Sequence, residues 1–163
     1  MGSDLVPRPL VQWDGFTVRV DLDVLELTIN RELSRKVPHV DELRVAGDGD
    51  RLQLDVRLSW QGLPARVSAR VADVRLYRRF VGCRVEALRG PLGVPIPLEL
   101  ASAAVRRFAP SIVRFDADDR ILLVDLRNRL PDGLRLEMGA VRVVGRTLEV
   151  ELAPGSLSGL SRM

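Results

Sequence analysis

With 163 residues, 46% of them hydrophobic, and a net charge of +3, the chain holds enough apolar matter for one domain with its own core. Aromatic residues are 4%, and Lys36 is the sole lysine, so the basicity comes from dispersed arginines matched by acids; with neither a basic stripe nor a stacking platform, nucleic-acid binding is excluded. A single cysteine, Cys83, excludes an intrachain disulfide and cannot by itself build a metal site.

Residues 1–15, with Pro7 and Pro9, read as an irregular lead-in, 16–154 as a single domain, and the Gly/Ser-rich residues 155–163 as a flexible tail. Phe16 to Leu27 is expected as a strand with Phe16, Val18, Val20, Leu22 and Val24 on one face. Thr28 then caps a short helix, in which Ile29, Leu33 and Val37 recur at helical spacing until Pro38 stops it. Val40 to Val45 starts a new strand, closed by the turn Gly47-Asp48-Gly49-Asp50.

Three long strands follow. In Arg51–Trp60, Leu52, Leu54, Val56 and Leu58 face one way and Arg51, Gln53, Asp55, Arg57 and Ser59 the other. Gln61-Gly62-Leu63-Pro64 turns the chain into Ala65–Tyr77, and Phe80–Leu88 returns it. The middle run would be roughly 43 Å long at ~3.3 Å per residue, and a sheet of such strands twists and coils. Within it Val67, Ala69 and Val71 share a face while Val74 and Leu76 have the opposite parity, which predicts a β-bulge or sharp bend.

Gly90-Pro91-Leu92-Gly93-Val94-Pro95-Ile96-Pro97 breaks the strands and leads to a second helix of about 12 residues, ended by Pro110. Leu98, Ala101, Val105 and Phe108, with Ala104 beside them, form its apolar stripe, and Glu99, Ser102, Arg106 and Arg107 are expected to face away. Strands are then expected at Ile112–Phe115, Ile121–Leu126 and Leu134–Met138, followed by the hairpin Val141–Val144 and Thr147–Leu152 around Gly145-Arg146. The fold class is α+β: a strongly curved, long-stranded antiparallel sheet with two helices.

No constellation of catalytic groups emerges. His39 has no second histidine and reads as a turn residue. Cys83 alternates with Val81 and Val85 and reads as a small buried apolar residue. Asp116-Ala117-Asp118-Asp119 lacks the central glycine and the twelfth-position carboxylate of a calcium loop, where Arg127 stands, and reads as a hairpin turn. Ser102 and Ser111 lie in no nucleophile elbow, and no glycine loop cradles phosphate. The expectation is a protein that is not an enzyme and carries no cofactor or metal. No apolar run reaches the length of a membrane span and no signal-peptide core is visible, so a cytoplasmic chain is expected as written. Because Met1-Gly2-Ser3 has the character of an expression remnant, a trimmed export signal or anchor, and with it a periplasmic or membrane-associated location, stays open.

Three segments carry a family resemblance: Trp60-Gln61-Gly62-Leu63-Pro64-Ala65-Arg66-Val67 between two strands, Gly93-Val94-Pro95-Ile96-Pro97-Leu98 before the second helix, and Leu130-Pro131-Asp132-Gly133-Leu134-Arg135-Leu136 before the closing hairpin. With the order of elements over residues 16 to 152, the chain resembles the LmeA-like bacterial phospholipid-binding proteins, relatives of the tubular lipid-binding (TULIP) superfamily. The resemblance implies a curved sheet wrapped round helix with an apolar tunnel for acyl chains. It also implies binding or transport of phospholipid without catalysis, and members of the family are expected to be exported or anchored.

Under that reading Leu54, Val56, Leu58, Val67, Ala69, Val71 and Val85 from the sheet, with Leu98, Ala101, Ala104, Val105 and Phe108 from the second helix, line the tunnel. Arg106 and Arg107 would meet a phosphate head group at its mouth, and transient contact with a membrane surface would accompany loading. The same faces are open to two other readings. Helix and sheet can pack on each other as a dry closed core, or the sheet edge or concave face can pair with a second copy of the chain without a ligand.

Overall fold

In the computed structural model, which describes residues 9–36, 39–60, 62–108 and 111–158, the chain begins with β1 (Val11–Trp13), β2 (Phe16–Asp21) and α1 (Leu22–Lys36). β3 (Val40–Asp48), β4 (Arg51–Trp60), β5 (Leu63–Tyr77) and β6 (Phe80–Arg89) follow, and a 3-10 turn (Pro91–Gly93) leads to α2 (Leu98–Phe108). The chain continues through β7 (Val113–Asp116), β8 (Ile121–Asp125), β9 (Leu134–Arg135), β10 (Met138–Val144), β11 (Thr147–Leu152) and β12 (Gly155–Leu157). The side chains of Lys36, Trp60 and Phe108 lie outside the described residues, as do Val37, Pro38, Gln61 and Pro110 with the expectations placed on them.

The described residues form two antiparallel sheets. Among them the larger has nine strands in the order β2-β11-β10-β5-β6-β8-β7, with the β3–β4 hairpin joining it through β5, and it is not closed into a barrel. β5 is its spine. The first part of β5 pairs with β4 from Trp60↔Leu63 to Leu52↔Val71. The register then slips between Ala72 and Arg75, where Asp73 adopts φ +53° and Arg84 holds its carboxylate at 2.8 Å. Beyond the slip, Met138 of β10 stands opposite Leu76. The parity change at Val74 and Leu76 is thus a bulge that turns the strand from one neighbour to another, and Val71, Ala72 and Leu76 are all buried around it.

The fork this makes is closed at the tip of the β3–β4 hairpin, where Gly49 and Val143 exchange backbone hydrogen bonds of 3.1 and 2.7 Å. The approach is close enough to require glycine two residues earlier. A Cβ on Gly47 would collide with the Arg51 carbonyl oxygen and stand 2.8 Å from Val143 Cγ2.

α1 starts six residues before the expected Thr28, and β2 stops at Asp21 instead of running to Leu27. The reason is a cap: Asp21 Oδ1 accepts hydrogen bonds from the backbone N–H groups of Asp23 and Val24, at 2.8 and 3.2 Å, and Asp23 lies in the first turn. Leu22, Leu25, Ile29 and Leu33 then form the inward face, with Val24 and Leu27 exposed. Leu22 is fully buried and, with Val45 and Val143, forms a small core onto which Leu25, Leu43, Leu52, Leu54 and Leu148 pack.

Polar groups on α1 also finish the edge of β3. Asn30 Nδ2 donates to the Leu43 carbonyl at 2.9 Å, and Asn30 Oδ1 accepts from the Leu43 N–H at 2.7 Å. One turn earlier Glu26 Oε1 accepts from the Val45 N–H at 2.6 Å, and Arg146 Nη1 donates to the Val45 carbonyl at 2.9 Å. Side chains here stand in for a neighbouring strand, so this edge is no open template for another chain.

The second sheet is β1-β12-β9. It corrects the reading of both ends: Val11–Trp13 is a strand within the expected lead-in, and Gly155–Leu157 is a strand where a frayed tail was expected, while residues 159–163 lie outside the described residues. Trp13 anchors it. The indole Nε1 donates to the Ala153 carbonyl at 3.0 Å, and the ring meets Phe16 edge-on at 6.5 Å between centroids. The expected strand Leu134–Met138 is divided, its first two residues pairing with β12 and Met138 opening β10.

Candidate functional site

The alternation of β4 and β5 puts Leu52, Leu54, Val56 and Leu58 opposite Val71, Ala69, Val67 and Ala65 on one face. β6 extends it, with Val85 opposite Val71 and Leu88 opposite Ala69, and β3 does so on the other side, with Leu43 opposite Val56 and Val45 opposite Leu54. Arg57, Arg66 and Arg70 project exposed from the other face.

α1 covers one end of the apolar face over Leu43, Leu52 and Leu54. α2 sits at the far end of the sheet, packed on β7. Ladder parity through Phe115, Leu122 and Cys83 places β7's inward residues on that same apolar face. Between the two helices Val56, Leu58, Ala65, Val67, Ala69 and Leu88 are only half-buried.

The seven sheet residues expected to line a tunnel therefore do share a surface, with Val71 and Val85 buried and Leu54 already occupied by α1. Of the α2 residues, Leu98, Ala101 and Val105 are half-buried where the helix packs on β7, at the far end of that face, and Ala104 is exposed. The side chain of Phe108 lies outside the described residues. Ser102, expected to face away, is buried at 5% exposure, and its hydroxyl donates to the Phe115 carbonyl at 3.0 Å, which ties α2 to β7.

The nominated head-group arginines are at the exposed end of α2. Arg106 borders a cleft of about 280 Å³ shared with Glu99, Asp116 and Asp118, whose carboxylates oppose an anion there. Asp116 itself closes the β7–β8 turn by accepting from the N–H groups of Asp118 and Asp119 at 3.0 and 3.2 Å. No group of metal-ligating side chains is assembled among the described residues. His39 is exposed and contributes its carbonyl, which accepts from the Ser59 N–H at 2.9 Å. Burial raises the pKa of the Cys83 thiol, so it is a poor nucleophile. Among the described residues no helix is long and apolar enough to cross a membrane.

A cluster the sequence reading passed over lies at the other end of β5. Tyr77, Arg78 and Arg79 from the β5–β6 turn, with Leu134, Arg135, Leu136 and Glu137 from the segment leading into β10, surround a cavity of about 500 Å³. Arg78 stacks its guanidinium 5.2 Å above the Tyr77 ring. Arg79 Nη1 stands 2.5 Å from Asp132 Oδ1. The only local signal in the sequence was the Arg-Arg pair at a turn tip.

Comparison with protein-family models, with curated proteins and with solved structures finds no match for this chain.

Proposed function

We propose that the chain is a non-catalytic binding protein for a phospholipid or another acyl-chain amphiphile, held on the apolar sheet face between α1 and α2. The observation that carries this reading is the half-buried middle of that face, where, among the described residues, Val56, Leu58, Ala65, Val67 and Leu88 lie outside the core under α1 while α2 packs on β7. The site is an open trough with the ligand as its missing cover, in place of the expected tunnel between sheet and α2. Wrapping of the long strands about the ligand in the TULIP manner belongs to the same proposal, as does the resemblance to LmeA-like proteins. Each methylene buried there contributes about 0.8 kcal/mol, so eight carbons would be worth roughly 6 kcal/mol before ordering costs.

The test is displacement of a fluorescent fatty acid by unlabelled amphiphile, comparing the parent with Val67→Lys. Val67 is half-buried at the centre of the trough, so a lysine there can carry its charge to solvent and leave the fold intact while spoiling the apolar bed. Binding should weaken at least tenfold. Equal affinity in a folded Val67→Lys variant would refute the placement.

A second reading has its own support in the same face, whose half-buried Val56, Leu58 and Val67 are equally suited to packing against a second copy of the chain. Pairing through the β3 edge is disfavoured by the Asn30 and Glu26 hydrogen bonds, so the dimer would have to form face to face. Light scattering on the eluting protein, with mass spectrometry of its organic extract, separates the two. A monomer with co-purified lipid supports the amphiphile, and a lipid-free dimer supports the second copy.

A further inference from the structure

We infer that the cavity bounded by the β5–β6 turn and the segment before β10 is a second binding site, for a ligand bearing a phosphate group. The lining supplies three guanidiniums, of Arg78, Arg79 and Arg135, against the single carboxylate of Glu137. Arg79 is partly engaged by Asp132, whereas Arg78 and Arg135 make no ion pair among the described residues. Guanidiniums converging on a pocket match phosphate oxygens with paired, charge-assisted hydrogen bonds. Leu134, Leu136 and the half-exposed ring of Tyr77 give the same pocket an apolar wall, enough for a small organic body attached to the phosphate.

The backbone supplies an independent argument. Arg78 and Arg79 adopt φ +48° and +68°, the left-handed pair of a two-residue hairpin turn. That geometry suits the twist of β5 and β6 but is built at least cost from Asn-Gly. Two bulky arginines at these positions hold an unfavourable conformation that the fold does not need, and such strain is found where the side chains serve a site. Their placement also has structural consequences that keep the pocket in shape: Arg79 Nη1 donates to the Arg127 carbonyl at 3.4 Å, its own carbonyl accepts from the Leu126 N–H at 2.9 Å, and the Arg127 guanidinium lies 5.0 Å over the Phe80 ring.

This site stands apart from the apolar trough and is independent of the amphiphile reading. Inorganic phosphate and phenyl phosphate, titrated calorimetrically into the full chain at low ionic strength, are the probes. The decisive variant is Arg78→Asn with Arg79→Gly, which removes both charges and gives the turn the residues its geometry prefers. The turn's gain offsets the lost Arg79 bonds to Asp132 and to the Arg127 carbonyl, so the variant should melt within about 3 °C of the parent. It should bind phosphate at least tenfold more weakly, and Arg135→Ala should weaken binding severalfold. Arg66→Ala, an exposed arginine on the polar face of β5, should leave it unchanged.

Retained phosphate affinity in the double variant overturns the assignment. So does an equal loss in Arg66→Ala, which would reduce the effect to diffuse charge. Sedimentation with vesicles containing phosphatidic acid, against vesicles of phosphatidylcholine alone, identifies the source of the phosphate. Phosphatidic-acid-dependent sedimentation lost in the double variant supports a lipid head group, and phenyl phosphate binding without sedimentation supports a soluble ester.

Discussion

Replacing Asn30 by Ala tests whether α1 completes the β3 edge or merely rests on it. The side chain makes two hydrogen bonds to one residue, at 2.9 Å to the Leu43 carbonyl and 2.7 Å from the Leu43 N–H. Truncation removes both and leaves two half-buried backbone groups without partners. At about 1 kcal/mol per bond, with some added desolvation cost, the loss is about 2–3 kcal/mol. For a domain of this size that lowers Tm by roughly 5–10 °C.

Asn30→Asp refines the test. It keeps the acceptor for the Leu43 N–H but sets a second carboxylate oxygen against the Leu43 carbonyl, so it should be at least as damaging at neutral pH. It should recover in part on acidification, when a carboxyl proton becomes available to donate. Urea unfolding gives the free energies, amide exchange at Leu43 gives the local effect, and light scattering reports any pairing through the uncovered edge. If both variants unfold within 0.5 kcal/mol of the parent and exchange at Leu43 is unaltered, the edge-finishing role is wrong.

Gly47→Ala should cost at least about 2 kcal/mol in thermal unfolding, because the new methyl meets the Arg51 carbonyl and Val143 and forces the hairpin tip away from β10; a wild-type Tm would contradict the close approach. Asp125 provides a pH signature. The side-chain hydrogen bond from Arg127 lowers its pKa from 3.8 to about 2. A depressed carboxyl stabilises the fold fully above its unfolded pKa, and the contribution drains away as pH falls from about 4 through 2. Carbon-detected NMR titration should place the midpoint near 2 in the parent and return it toward the ordinary carboxylate range in Arg127→Ala, and an unmoved midpoint would refute the pairing.

Strict alternation made β4, β5 and β6 legible, since a period of two with charged residues on one side admits no helix. The parity change between Val71 and Val74 even located the bulge. It did not disclose that β5 there exchanges β4 for β10, because the pairing of Leu76 with Met138 joins segments with no local mark of one another. The start of α1 was obscured because Leu22 and Val24 continue the alternation of Val18 and Val20 while Leu22 also begins the series Leu25, Ile29, Leu33. Asp21 as a capping residue was the signal that decides between them.

On α2, Ser102 stands four residues after Leu98 and so lies on the inward stripe by spacing. Its hydroxyl suggested the solvent side, but a carbonyl of β7 was there to receive it. The trough was half legible: the strand faces follow from parity, whereas the place where α2 docks depends on β7, whose partner is fixed only in the assembled sheet. Of the arginine cavity only the Arg78-Arg79 pair at the turn was legible, since Arg78 and Arg135 are brought together by tertiary folding alone.

The little core around Leu22 draws its members from opposite ends of the polypeptide, Val45 from the first third and Val143 from the last hairpin. During synthesis α1 and the hairpin that follows it must therefore wait, oily side uncovered, until β10 has left the ribosome. Closure over so long a loop is entropically slow, which makes the final hairpin the latch of folding and leaves any prematurely terminated product without a centre to collapse upon.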